Sequence, residues 1–143
     1  MTAAEGDERQ GMTVSSFTSV SLSPPLILVS LETASATCKF VAKTQSFAVA
    51  ILAENQRALS DRFAGREPEL EDRFTGLDLH ISPSGHPIPS GALAFIDCNV
   101  VDQLKAGTHT VFIAEVLRGD VLLQNEPLLY FDRAYRKLGT KGS

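Results

Sequence analysis

The chain has 143 residues, 43% of them hydrophobic and 21% charged, with a net charge of −4, which suits one domain around one core. No apolar run approaches the roughly 18 residues of a membrane-spanning helix. The acidic opening MTAAEGDERQ lacks the basic start and apolar stretch of a signal peptide, and the Arg133, Arg136, Lys137 group is too small a basic cluster for a nucleic-acid footprint. On these grounds the chain reads as a cytoplasmic protein.

Taken in order, residues 1–10 read as the end of a strand and a polar turn, and residues 12–22 as extended chain. Residues 26–31 (LILVSL) are continuously apolar and bounded by Pro24-Pro25 and a polar break, which predicts a buried strand. Residues 35–44 predict a short helix with Ser35 as N-cap and Phe40, Val41 and Thr44 on one face. Residues 46–53 predict a second buried strand. NQRALSDRFAG follows as a helix capped by Asn55 and stopped by Gly65. Residues 66–76 read as a charged loop, with Asp61, Glu67, Glu69, Glu71 and Asp72 solvated, and 77–81 as a strand. SPSGHPIPSG (82–91) reads as loop, with His86 facing solvent.

The last third is strand-rich. Two long strands flank a tight turn at Ala106-Gly107, and PLLYF and AYRKL flank a turn near Asp132-Arg133. We find no internal repeat and no linker at this level. Many short strands with two brief helices predict an antiparallel β-barrel with peripheral helices. Cys38 and Cys98 lie far apart, without a CxxC spacing, and read as reduced, buried thiols.

The common chemical signatures are missing. There is no GxGxxG, no P-loop, no HExxH and no GxSxG, and His80, His86 and His109 lack metal-ligand spacing. What stands out is hydroxyl density: seven of the eleven residues from Thr13 to Ser23 are Ser or Thr. A buried hydroxyl without a partner costs roughly 1–3 kcal/mol, so this segment is either solvated or laid against a polar ligand. A flat heteroaromatic ring with a phosphate tail suits it, because the helix starting near Ser35 would offer its N–H groups to phosphate.

GMTVSSFTSVSLSPPLILVSL closely resembles the opening motif of the flavin reductase-like family. ETASATCKFV, FAVAILAENQRALSDRFAG, SGALAFIDCNVVDQLKAGTHTVFIAEV and PLLYFDRAYRKL resemble its later segments in the right order, so the likeness spans roughly residues 11 to 138. The resemblance implies a mainly-β split barrel (an FMN-binding split barrel) with short peripheral helices, forming a homodimer. It implies a single flavin reductase-like domain over 1–143 that lacks the family's first helix and most of its first strand, which would leave a barrel edge exposed.

The same resemblance implies an NAD(P)H:flavin oxidoreductase, with FMN or FAD as flavin and NADH or NADPH as co-substrate, supplying reduced flavin to a partner oxygenase. Thr13, Val14, Ser15, Ser16 and Ser19 would line the flavin. Val29, Ser30 and Leu31 would pass beneath its ribityl-phosphate chain, and Ser35 and Thr37 would hold the phosphate. Arg62, Phe63 and Ala64 match the loop that approaches its far portion. His109 matches a histidine near the nicotinamide, and Tyr130 and Tyr135 match aromatic positions near the pocket. The family's Gly-Asp-His turn reads Gly107-Thr108-His109 here. Two other readings stay open: a non-catalytic flavin carrier or sensor, and a barrel that binds deazaflavin or haem.

Overall fold

The computed structural model describes residues 1–139, and the chain is mainly β. Its strands are β1 (Thr2–Glu5), β2 (Glu8–Gly11), β3 (Phe17–Leu22), β4 (Pro25–Glu32), β5 (Ser46–Ile51), β6 (Leu79–Ile81), β7 (Pro87–Pro89), β8 (Ala94–Ala106), β9 (His109–Val121), β10 (Leu129–Phe131) and β11 (Ala134–Arg136). Two helices, α1 (Ala36–Thr44) and α2 (Arg57–Phe63), complete the described elements, with a 3-10 turn over Glu54–Gln56 leading into α2. Seven strands form one antiparallel sheet in the order β2-β1-β5-β8-β9-β4-β3, and β6–β7 and β10–β11 are separate ribbons.

The apolar run of β4 does not bury both faces. Ile27, Val29 and Leu31 are buried, while Leu26, Leu28 and Ser30 are half-exposed. The pleat sends alternate side chains to opposite faces, and only one face meets the core. That core joins Phe112 and Ala114 of β9, Phe47 and Val49 of β5, Cys98 of β8 and Phe40 and Val41 of α1. Burying each large apolar side chain contributes about 1.5–3 kcal/mol. Both cysteines are free and buried; burial pushes the Cys98 thiol up to about 12, which leaves it inert.

Local signals place α1. Ser35 accepts a hydrogen bond from Cys38 N at 3.1 Å, and the helix ends at Gln45 in the left-handed region. The second helix starts differently from expectation. Asn55 caps nothing; Gln56 does the work, its Oε1 accepting from Ala53 N and its Nε2 donating to Ser90 O.

Other boundaries also differ. Residues 1–11 form a hairpin, β1–β2, that pairs with β5, and its ladder continues through reciprocal Met1–Met12 hydrogen bonds. Residues 12–16 are not strand, because Thr13 N donates to Phe63 O and Ser30 N to Ser16 O outside any regular ladder. Only 79–81 of the stretch 77–81 is strand. Its partner β7 lies inside the segment expected to be loop: Pro87 and Pro89 flank Ile88 in a two-stranded ribbon, where prolines are tolerated at an unpaired edge.

His86, expected at the surface, is 1% exposed. Its Nδ1 accepts from Ala4 N at 3.1 Å and its Nε2 lies 2.7 Å from Ser46 Oγ, so it bridges β1 and β5 from beneath. A polar ring buried with both nitrogens satisfied carries no unpaired-group penalty.

Candidate functional site

Two clefts meet on the face where β1–β2, the 12–16 segment and α2 come together. The first is a cavity of about 480 Å³, within the range of small-molecule sites. Its walls are mostly apolar, from Met12, Val14, Phe17, Val49, Leu59 and Leu128. Thr2 Oγ1, also on its lining, is buried and has no hydrogen-bond partner among the described residues. The second cleft, about 720 Å³, is polar and includes Arg9, Ser35, Thr37, Glu71 and Arg73. Met12, Thr13, Phe63 and Ala64 line both.

The shared wall is built by long-range bonds. Thr13 N donates to Phe63 O at 3.0 Å and Thr13 Oγ1 to Ser60 O at 2.7 Å. Gly11 passes so close to the Phe63 ring that an added Cβ would sit 2.7 Å from Cε1. Tyr130 and Tyr135 close one end of the cavity, packed edge-to-face at 5.2 Å as a cross-strand pair of β10–β11. Tyr135 Oη donates to Asp61 Oδ1 at 2.6 Å, and Arg57 stacks over its ring. Burial, then this bond, pushes the Tyr135 phenol above its ordinary value. Glu54 N donates to Glu126 O and Leu128 N to Leu52 O, which fixes the ribbon to the end of β5. Asp61 is therefore not a solvated loop carboxylate: it also pairs with Arg66.

A short internal echo organises the rest. Asp61–Gly65 reads DRFAG and Asp72–Gly76 reads DRFTG. The two copies clasp. Phe63 and Phe74 pack edge-to-face at 4.9 Å, Arg62 Nη1 donates to Thr75 O at 2.9 Å, and Arg73 Nη1 donates to Phe63 O at 3.0 Å. Asp72, expected to be solvated, accepts from Phe74 N and pairs with Arg9; the Arg9 bond, then the backbone bond, holds its carboxyl below its ordinary value.

The expected site residues do not all come together. Thr13, Val14, Ser15, Phe63 and Ala64 line the first cavity, and Ser35 and Thr37 line the second cleft. Ser16 and Ser19 are exposed near β3, Val29 and Leu31 are core, and Ser30 is half-exposed on β4. Arg62 lines neither cleft and is paired with Glu67 at 3.5 Å. His109 is exposed at the start of β9, opposite Glu32 in the β4 register, and its Nδ1 lies 2.9 Å from Thr108 Oγ1. Among the described residues no His, Cys, Asp and Glu group could hold a metal ion.

Residues 1–139 match the family described as the flavin reductase like domain. The chain belongs to that family. Flavin reductase-like relatives include a flavin reductase of Pseudomonas putida, 35% identical over 136 residues, which cover 94% of this chain and 78% of that protein. The reductase component of an FADH(2)-dependent resorcinol hydroxylase from a Rhizobium species is 38% identical over 133 residues, covering 92% of this chain and 74% of that one. Among solved flavin reductase-like structures, an NADH:FAD oxidoreductase of Streptomyces globisporus superposes with a TM-score of 0.90 at 30% identity, covering 99% of this chain and 80% of that chain.

Proposed function

We propose that this chain is an NAD(P)H-dependent flavin reductase that works as a homodimer and passes reduced flavin to an oxygenase. One observation carries the reading: an apolar cavity and a polar cleft share a single wall of Met12, Thr13, Phe63 and Ala64. That arrangement fits a molecule with a flat, largely apolar ring at one end and a phosphate at the other. Thr2 Oγ1, buried without a partner on the ring side, fits the polar rim of such a ring.

When bound, the flavin supplies the hydride-accepting and electron-carrying chemistry. The protein's residues hold and orient. Thr13, Val14 and Ser15 present backbone and hydroxyls along the ring cavity, and Phe63 and Ala64 separate it from the polar cleft. Ser35 and the first turn of α1, where the Ala36 and Thr37 N–H groups have no partner among the described residues, face the phosphate end. No side chain need act as general acid or base, which agrees with a site built from hydroxyls and apolar surface. His109, exposed at the start of β9 and outside both cleft linings, is the residue that the family likeness assigns to the nicotinamide. Relatives described as reductase components of a resorcinol hydroxylase and of a 4-nitrophenol monooxygenase support the oxygenase partner.

The test is NADH and NADPH oxidation by the purified chain with FMN or FAD added in turn. Flavin-dependent oxidation is expected, and His109→Ala should lower turnover by about tenfold to a hundredfold through misplacement of the nicotinamide. Flavin binding without oxidation of either nucleotide would make the chain a carrier instead.

A further inference from the structure

Resting on the flavin reading, we propose that Arg73, rather than Arg62, is the cation that binds the flavin phosphate. Arg62 and Arg73 occupy the same place in the two DRF copies, yet their surroundings differ. Arg62 is paired with Glu67 and lies outside both clefts. Arg73 lines the polar cleft together with Ser35 and Thr37. Arg9, Arg57, Arg62 and Arg66 each have a carboxylate partner. Arg118, Arg133 and Arg136 have none among the described residues, but they are exposed. Arg73 is the half-buried guanidinium among the described residues that has no carboxylate beside it.

A partly desolvated charge without a counter-ion is costly unless an anion arrives. Its own hydrogen bonds leave one edge of the guanidinium for that anion. Arg73 Nη1 spends both hydrogens, on Gly11 O at 3.1 Å and on Phe63 O at 3.0 Å. Those two carbonyls flank the shared wall, so the side chain is fixed before any ligand enters. Among the described residues Nε and Nη2 have no partner, which leaves three N–H groups in one plane, the fork that matches phosphate. Nη2 lies beside Gly65, where a Cβ would come within 3.1 Å of it, so a side chain at that position would crowd the nitrogen. The cleft also carries Asp7, Glu32 and Glu71, but all three are exposed and screened by solvent and salt, whereas Asp72 is already paired with Arg9.

Riboflavin and FMN differ only by the phosphate, so their dissociation constants, measured by quenching of flavin fluorescence, isolate this contact. The wild-type chain should bind FMN about ten- to a hundredfold more tightly than riboflavin, the scale of charged hydrogen bonds. Arg73→Gln should lose most of that preference, read as the ratio of the two dissociation constants, because loss of its bonds to Gly11 O and Phe63 O weakens both flavins in common. Arg73→Lys, which keeps the charge but not the planar fork, should show an intermediate preference, and it decides alone if the Gln variant does not fold. An unchanged FMN preference in the variants overturns the proposal. Equal weakening of both flavins overturns it too, because Arg73 would then only brace the wall. A wild-type chain that binds neither flavin removes the flavin reading itself and this proposal with it.

Discussion

His86 shows how a single buried side chain couples this fold to pH. Nδ1 accepts from Ala4 N, so the neutral ring carries its proton on Nε2, facing Ser46 Oγ. A second proton would sit on Nδ1 against the Ala4 N–H. Desolvation lowers the His86 pKa below its ordinary 6.5, with the Asp97 carboxylate opposing. The unfolded chain therefore takes up a proton before the folded one does. The stability this group contributes is fully present above about pH 6.5 and is lost as the pH falls toward the folded value. Urea unfolding across that window should show the decline. His86→Gln should flatten it, at a cost of about 1–3 kcal/mol near neutrality from partners left unpaired. Nothing in Gly85-His86-Pro87 announces this burial. The partners lie in β1 and β5, far away in sequence, whereas the Ser35 cap was legible because its partner, Cys38 N, is three residues on.

At the level of elements, close approach decides what the opening motif tolerates. Gly11 ends β2 with its α-carbon under the Phe63 ring and beside Phe74, where a Cβ would stand 2.7 and 3.0 Å away. Gly11→Ala should cost about 1–3 kcal/mol by overpacking. It should also weaken flavin binding, because Phe63 is part of the wall between the clefts; thermal unfolding and flavin titration on one sample measure both. The long hairpin β8–β9 and the turn at Asp132-Arg133 could be read from the sequence, since alternation and turn residues are local signals. The clefts could not. Their walls come from the first seventeen residues, from 32–37, from 49–74, from Pro89 and from 128–135, and no local pattern states that these meet. The DRF echo was visible in the letters, but its meaning lies in contacts between the copies.

For the molecule as a whole, the exposed apolar side chains matter most. Leu22 is 94% exposed, Phe131 72% and Val121 70%, with Val101, Leu104 and Leu117 also open on β8 and β9. Such surface on a small protein is a docking face or a liability. In the homodimer reading a second copy covers part of it, so light scattering should return a mass near twice 15.4 kDa. A monomer that stays soluble at high concentration would sink that reading. The mainly-β architecture with peripheral helices was legible from strand density and turn spacing, but a surface shared between copies leaves no periodicity of its own.

The tie between Thr13 and Phe63 joins parts of the chain that lie fifty residues apart. β4 pairs with β9 and β1 with β5 across long stretches of chain, and the tyrosines that close the cavity belong to the last strands. Non-local pairings of this kind form slowly, so the cleft wall and its closing ribbon belong to the end of the process. A ligand seated there recognises completed chains and holds them by mass action. Flavin added during refolding should leave early sheet formation at its own pace and slow the reverse reaction, making cofactor supply a control on the lifetime of the finished protein.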